Sequence, residues 1–104
     1  MGGTWIDVCD EAFVPPGTMR CLQVTDRRIL IAYTSERQWF AADEMCTHED
    51  ASLCLGALRD ARVKCPLHGS WFDLRDGSVD DEPATEPLKT YPIRAQNGRL
   101  EVLI

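Results

Sequence analysis

Histidine is scarce in this chain. There are two among 104 residues, and neither stands apart from a cysteine: His48 lies in Cys46-Thr47-His48 and His68 in Cys65-Pro66-Leu67-His68. Long apolar runs are missing too. No stretch approaches the roughly 20 residues that a membrane-crossing helix needs. Positive charge is in deficit, with 11 Lys and Arg against 17 Asp and Glu and a net charge of −6. That balance excludes the basic footprint of a nucleic-acid binder and argues against an anionic membrane surface. The start, MGGTWIDVCD, has an early acid and no cationic segment before an apolar run, so no secretory leader is expected. Without a leader, five cysteines point to reduced thiols in a cytoplasmic protein, with no disulfide framework.

Helical periodicity is also absent. The stretches around Glu36 and Asp43–Met45 are too short to count, and no repeat, low-complexity tract or linker divides the chain. At this length the expectation is one domain, residues 1–104, with a single core.

What the chain does have is short apolar or alternating runs punctuated by turn residues, which predicts an all-β fold. Thr4–Val8 reads as a strand that stops at Val14-Pro15-Pro16-Gly17, because two prolines cannot donate to a ladder. Met19–Val24 and Arg28–Thr34 read as a hairpin closed near Asp26-Arg27, with Ile29, Ile31 and Tyr33 on one face. Gln38–Ala42 follows. Leu58 and Arg62–Lys64 are expected to pair across Asp60, and Trp71–Leu74 to turn at Asp76-Gly77. Val79–Leu88, with Pro83 and Pro87 among acids, reads as a covering loop without a ladder. Lys89–Ala95 and Arg99–Ile104 read as a hairpin on Asn97-Gly98, a pair suited to the positive-φ positions of a type I′ turn. Leu100, Val102 and Ile104 alternate inward.

The chemistry concentrates in residues 46–68. Cys46-x-His48 and Cys65-x-x-His68 are separated by sixteen residues, and thiolate with imidazole is a ligand set for iron and zinc. Structural zinc knuckles usually pair like with like, whereas each loop here offers one sulfur and one nitrogen. That mixture suits a two-iron cluster, with both cysteines on one iron and both histidines on the other. A zinc-stabilised binding module is the competing reading. Cys9 and Cys21 read as packing residues, and Cys54, inside the inter-ligand stretch, as structural.

The two-loop pattern resembles the Rieske 2Fe–2S family. The likeness covers the four ligands, Thr47, Pro66, the following Gly69 and the spacer length. It implies stacked small antiparallel sheets, a sandwich with an inserted cluster-binding subdomain at about residues 43–76. It also implies one 2Fe–2S cluster whose imidazoles face outward at the tip as the electron exit. Thr47, Pro66, Leu67, Gly69, Ser70, Trp71 and Pro83 would surround the cluster. Leu67, Trp71 and Pro83 are candidates for shielding it or for an apolar rim, with packing the favoured role for Trp71.

Two neutral imidazoles in place of two thiolates raise the potential from about −400 mV to the range of about −150 to +300 mV. High-potential family members add a disulfide between the loops and a tyrosine hydroxyl. The corresponding positions here are Ala51, Leu67 and Phe72, so the low end near −150 mV is expected, with Ser70 as one retained donor.

The nearest likeness is to the small ferredoxins of bacterial aromatic-ring-hydroxylating dioxygenase systems, which serve aromatic hydrocarbon catabolism. These carry electrons from a flavoprotein NAD(P)H-dependent ferredoxin reductase to a terminal Rieske non-haem iron oxygenase. A small subunit of another oxidoreductase complex is the alternative. The chain is not expected to be an enzyme, because both histidines are committed and no second iron site or nucleophile–base pair remains. Asp43, Glu44, Glu49 and Asp50 flank the first loop, while Asp76, Asp80, Asp81, Glu82 and Glu86 crowd the proline-bearing segment. Converging at the tip, they would steer a basic partner.

Overall fold

The computed structural model describes residues 3–48, 50–67, 69–81 and 84–104. His68 and Pro83, and the acids Glu49 and Glu82, fall outside the described residues. In chain order the strands are β1 (Trp5–Asp10), β2 (Thr18–Val24), β3 (Arg27–Tyr33), β4 (Trp39–Asp43), β5 (Ala57–Arg59), β6 (Arg62–Lys64), β7 (Trp71–Asp73), β8 (Val79–Asp81), β9 (Thr90–Tyr91), β10 (Ile93–Gln96) and β11 (Arg99–Leu103). Single 3-10 turns at Glu11–Phe13 and Leu53–Leu55 complete the regular structure. The all-β expectation holds, with no α-helix among the described residues.

The strands form three antiparallel sheets, ordered β1-β11-β10, β2-β3-β4-β9 and β5-β6-β7-β8. β3 explains how they stack. Ile29 and Ile31 join Val14, Val24, Ala41, Tyr91, Leu100 and Val102 in one core. Leu30 and Ala32 point the other way and pack with Ala42, Val63, Phe72, Leu74 and Leu88 in a second. The middle sheet is therefore covered on both faces, and β3 shows the continuous apolar run of such a strand. Alternation along β3 predicts only the face of Ile29 and Ile31; the face of Leu30 and Ala32 is buried as well.

Local chemistry sets the turns. Thr25 and Asp26 form the two-residue loop between β2 and β3, because Val24 pairs with Arg27; the turn lies one residue earlier than expected. Asp60 takes φ 53° between β5 and β6. Asn97 and Gly98 have φ 54° and 79°, the left-handed pair expected of a type I′ hairpin.

Two further expectations need correction. Val79–Leu88 is not ladder-free: β8 pairs with β7 through a register shift between Trp71 and Phe72. Val79 and Asp81 pair with Phe72 and Trp71 across the bulge, and the described residues beyond, 84–88, form no strand. Lys89–Ala95 is not one strand. Pro92 lacks an N–H, and the chain changes sheets there: β9 pairs with β4, β10 with β11. Tyr91 locks the crossing. Its hydroxyl donates to Asp43 Oδ1 at 2.6 Å and accepts from Arg27 at 3.2 Å.

The largest departure concerns the cysteines. Cys21 and Cys54 are joined by a disulfide, with Cα atoms 6.2 Å apart. The expectation of five reduced thiols fails at this pair. The two are 33 positions apart in the sequence, and only the folded placement of β2 against the 3-10 turn brings them together. Cys9 does remain a thiol packed against the first core, and burial raises its pKa.

Candidate metal centre

Two loops bring Cys46 and Cys65 into the second core, where they are 7% and 1% exposed. The first loop is closed at its foot by an antiparallel Met45–Ser52 bridge, made of two hydrogen bonds: Cys46 N–H to Ala51 O at 2.9 Å and Leu53 N–H to Glu44 O at 2.8 Å. Glu44 reinforces the closure, accepting from Arg28 at 2.7 Å and from the Ser52 hydroxyl at 2.6 Å. Within the loop, the His48 N–H lies 3.4 Å from Cys46 Sγ. An amide aimed at sulfur stabilises the thiolate form. The His48 side chain itself is exposed.

The second loop is the connection between β6 and β7. Lys64 ends β6, and Cys65 donates its N–H to Ser70 O at 2.8 Å, so the hairpin ladder continues one step into the loop. Gly69 has φ 78°, a left-handed backbone that glycine adopts without Cβ strain. Leu67 is 58% exposed beside it.

A third segment ties the loops together. Thr47 Oγ1 donates to Glu86 O at 2.7 Å, and the buried Ser70 Oγ accepts from Ala84 N–H at 2.9 Å. Ser70 thus keeps its own O–H as a donor. Phe72 is fully buried among the same side chains as both cysteines. Trp71 packs against basic side chains of its own sheet. It is half-buried on the outer face of the third sheet, with Arg59 at 5.6 Å and Lys64 at 5.9 Å from its ring centre.

The predicted acidic tip is only partly realised. The Thr47–Glu86 bond does bring the two acidic segments together. Asp43, however, is engaged by Tyr91 and Glu44 by Arg28, while Asp80 pairs with Arg62 at 2.8 Å. Asp76 is spent on its own turn, accepting from Ser78 N–H at 2.9 Å. Asp50 and Glu86 stay exposed.

Among the described residues, no three His, Cys, Asp or Glu side chains are arranged to hold a metal ion. Cys46, His48 and Cys65 lie on the two loops, and His68 belongs to the undescribed positions. The donor chemistry nonetheless fits a sulfide-bridged group. Its sulfur end would meet two buried thiols, one with an N–H on it, and an imbalance of depth leaves His48 outside. Ala84 and Glu86 act as backbone partners of the loops without any motif of their own to mark them. Only their place in an apolar-flanked proline segment could have suggested them.

Residues 4–92 match the Rieske [2Fe-2S] domain. The chain is 40% identical over 98 residues to the 3-phenylpropionate/cinnamic acid dioxygenase ferredoxin subunit of Photorhabdus laumondii, covering 93% of this chain and 91% of that one. It is 33% identical over 100 residues to a ferredoxin component of naphthalene 1,2-dioxygenase/salicylate 5-hydroxylase systems from a Ralstonia species, covering 96% and 95%. Its fold superposes with a TM-score of 0.87 on a chain of the complex of reduced oxygenase and oxidised ferredoxin in carbazole 1,9a-dioxygenase. That match is 29% identical and covers 95% of this chain and 92% of the other. The chain belongs to the Rieske [2Fe-2S] family, and a 2Fe–2S cluster is the cofactor of that family.

Proposed function

We propose that this chain is the one-electron carrier of an aromatic-ring-hydroxylating dioxygenase system. It accepts electrons from a flavoprotein NAD(P)H-dependent ferredoxin reductase and delivers them to a terminal Rieske non-haem iron oxygenase. Cys46 and Cys65 hold one iron of its 2Fe–2S cluster, and His48 and His68 hold the other. Residues 43–76, with β8 alongside, act as the cluster-binding subdomain of a β base. Because the donor reductase draws on NAD(P)H, the carrier belongs in the cytoplasm. No helix among the described residues is long and apolar enough to cross a membrane.

One observation carries this reading: the depth difference between ligands. Two thiols lie in the core while His48 is exposed. When bound, the cluster supplies a reversible one-electron couple. The chain's own groups do the rest. The His48 N–H stabilises negative charge on Cys46 sulfur, the core around Cys65 and Phe72 keeps water off the buried end, and exposed Leu67 offers a small apolar rim. Weak, transient redox encounters need no more than a modest surface of this kind.

The potential is set by which donors reach the sulfurs. Ala51 and Leu67 cannot form the inter-loop disulfide of high-potential members, and Phe72 has no hydroxyl. A midpoint near −150 mV is expected by potentiometry. A clearly positive midpoint contradicts the assignment to a low-potential carrier. Phe72→Tyr should raise the midpoint by about 40–60 mV. One added hydrogen bond favouring the reduced state is worth about 1–1.5 kcal/mol, and about 1.4 kcal/mol corresponds to about 59 mV for one electron. Unchanged potential in a folded Phe72→Tyr protein would show that this position does not reach the cluster.

A further inference from the structure

We propose that the Cys21–Cys54 pair is a thiol–disulfide site that controls how firmly the first ligand loop keeps its share of the cluster; this rests on the ligand assignment above. The loop that carries Cys46 and His48 has its foot at Glu44–Leu53, where the backbone ladder closes. Cys54 is the next residue, in the 3-10 turn Leu53–Leu55, and its N–H is capped by Ser52 Oγ at 3.2 Å. Cys21 lies on β2, opposite Leu30 of β3, on the face of the middle sheet turned toward the second core. β2 is the edge of its sheet. The disulfide therefore joins the loop foot covalently to an edge strand of the base, a connection different in position from a bridge between the two loops.

The bond is approachable. Neither cysteine is buried, and the adjoining Leu55 is 78% exposed. A small dithiol can reduce it by exchange. Its first thiolate attacks one cysteine sulfur, its second closes on the mixed disulfide, and the products are two cysteine thiols and one cyclic disulfide. The two electrons and two protons come from the dithiol. A small-molecule disulfide oxidant restores the bond by the reverse exchange. With the tether cut, the 46–51 loop loses its covalent link to the base and keeps the hydrogen bonds at its foot and at Thr47, so it opens more often.

Two measurements test this. Protein prepared without added thiol is denatured with chelator and alkylating agent and weighed. Three cysteines should be modified, rising to five after reduction, with one peptide pair linked through Cys21 and Cys54. Holoprotein is then challenged with excess iron chelator while its visible absorbance is followed. Pretreatment with dithiothreitol should speed cluster loss by about threefold or more. Cys21→Ser and Cys54→Ser should lose the cluster at that faster rate, with or without dithiothreitol. Five alkylated cysteines before reduction overturn the proposal. So does an unchanged release rate in reduced wild type, or equal acceleration of the variants by dithiothreitol. A protein without iron or sulfide would instead defeat the cluster reading, while the thiol count would still report on the pair.

Discussion

His48→Ala is expected to give a folded protein that retains less than about a tenth of its iron and labile sulfide. The reasoning separates function from stability. The side chain of His48 is exposed, and exposed substitutions usually change stability by no more than about 0.5 kcal/mol. In the proposed ligand set His48 would be one of four side chains holding the cluster, and a group held by the remaining three would be retained less firmly. Iron and sulfide per chain, with circular dichroism as the fold control, check the result. Cys65→Ala should remove the cluster equally, but with a measurable stability cost, because Cys65 is 1% exposed in the core. A His48→Ala protein with full iron content and an unaltered spectrum would remove His48 from the ligand set.

Gly56→Ala should be a strongly damaging change away from the two Cys/His pairs. A Cβ at Gly56 would lie 1.7 Å from the carbonyl oxygen of Lys64, a backbone atom that no rotamer can move aside. The φ of Gly56 is −90°, so the problem is contact and not conformation. Relief requires pushing β5 from β6, and β6 leads directly into Cys65. The expected cost is about 3–5 kcal/mol, a large share of the roughly 5–15 kcal/mol that holds a typical domain together. Gly98→Ala is the control. It carries a left-handed strain that Gly56 lacks, φ 79°, but nothing lies within 4 Å, so about 1–2 kcal/mol is expected. Urea denaturation of the metal-free proteins compares the two. Equal midpoints would mean that the β5–β6 step yields more easily than its geometry indicates.

Periodicity made most of the fold legible. Strand positions depend on alternation and on prolines, and both are local. The failures were long-range. Whether β3 is covered on one face or two depends on a third sheet built from residues 57–81. Whether Lys89–Ala95 is one strand depends on where Pro92 meets two different sheets. The Cys21–Cys54 bond has no spacing signature at all, because strand β2 and the turn after the first loop meet only in space. The acidic tip illustrates the same limit. Charge counts cannot reveal that Arg28 and Tyr91 already occupy Glu44 and Asp43. The spacing of the two Cys/His pairs, by contrast, is encoded within a few residues and is legible for that reason.

Iron and acid-labile sulfide analysis of anaerobically purified protein, with visible and EPR spectra before and after dithionite, tests the central claim most directly. Two irons and two sulfides per chain, with a spectrum that changes on uptake of one electron, are the predicted result. A colourless protein holding a single zinc and no labile sulfide would contradict it.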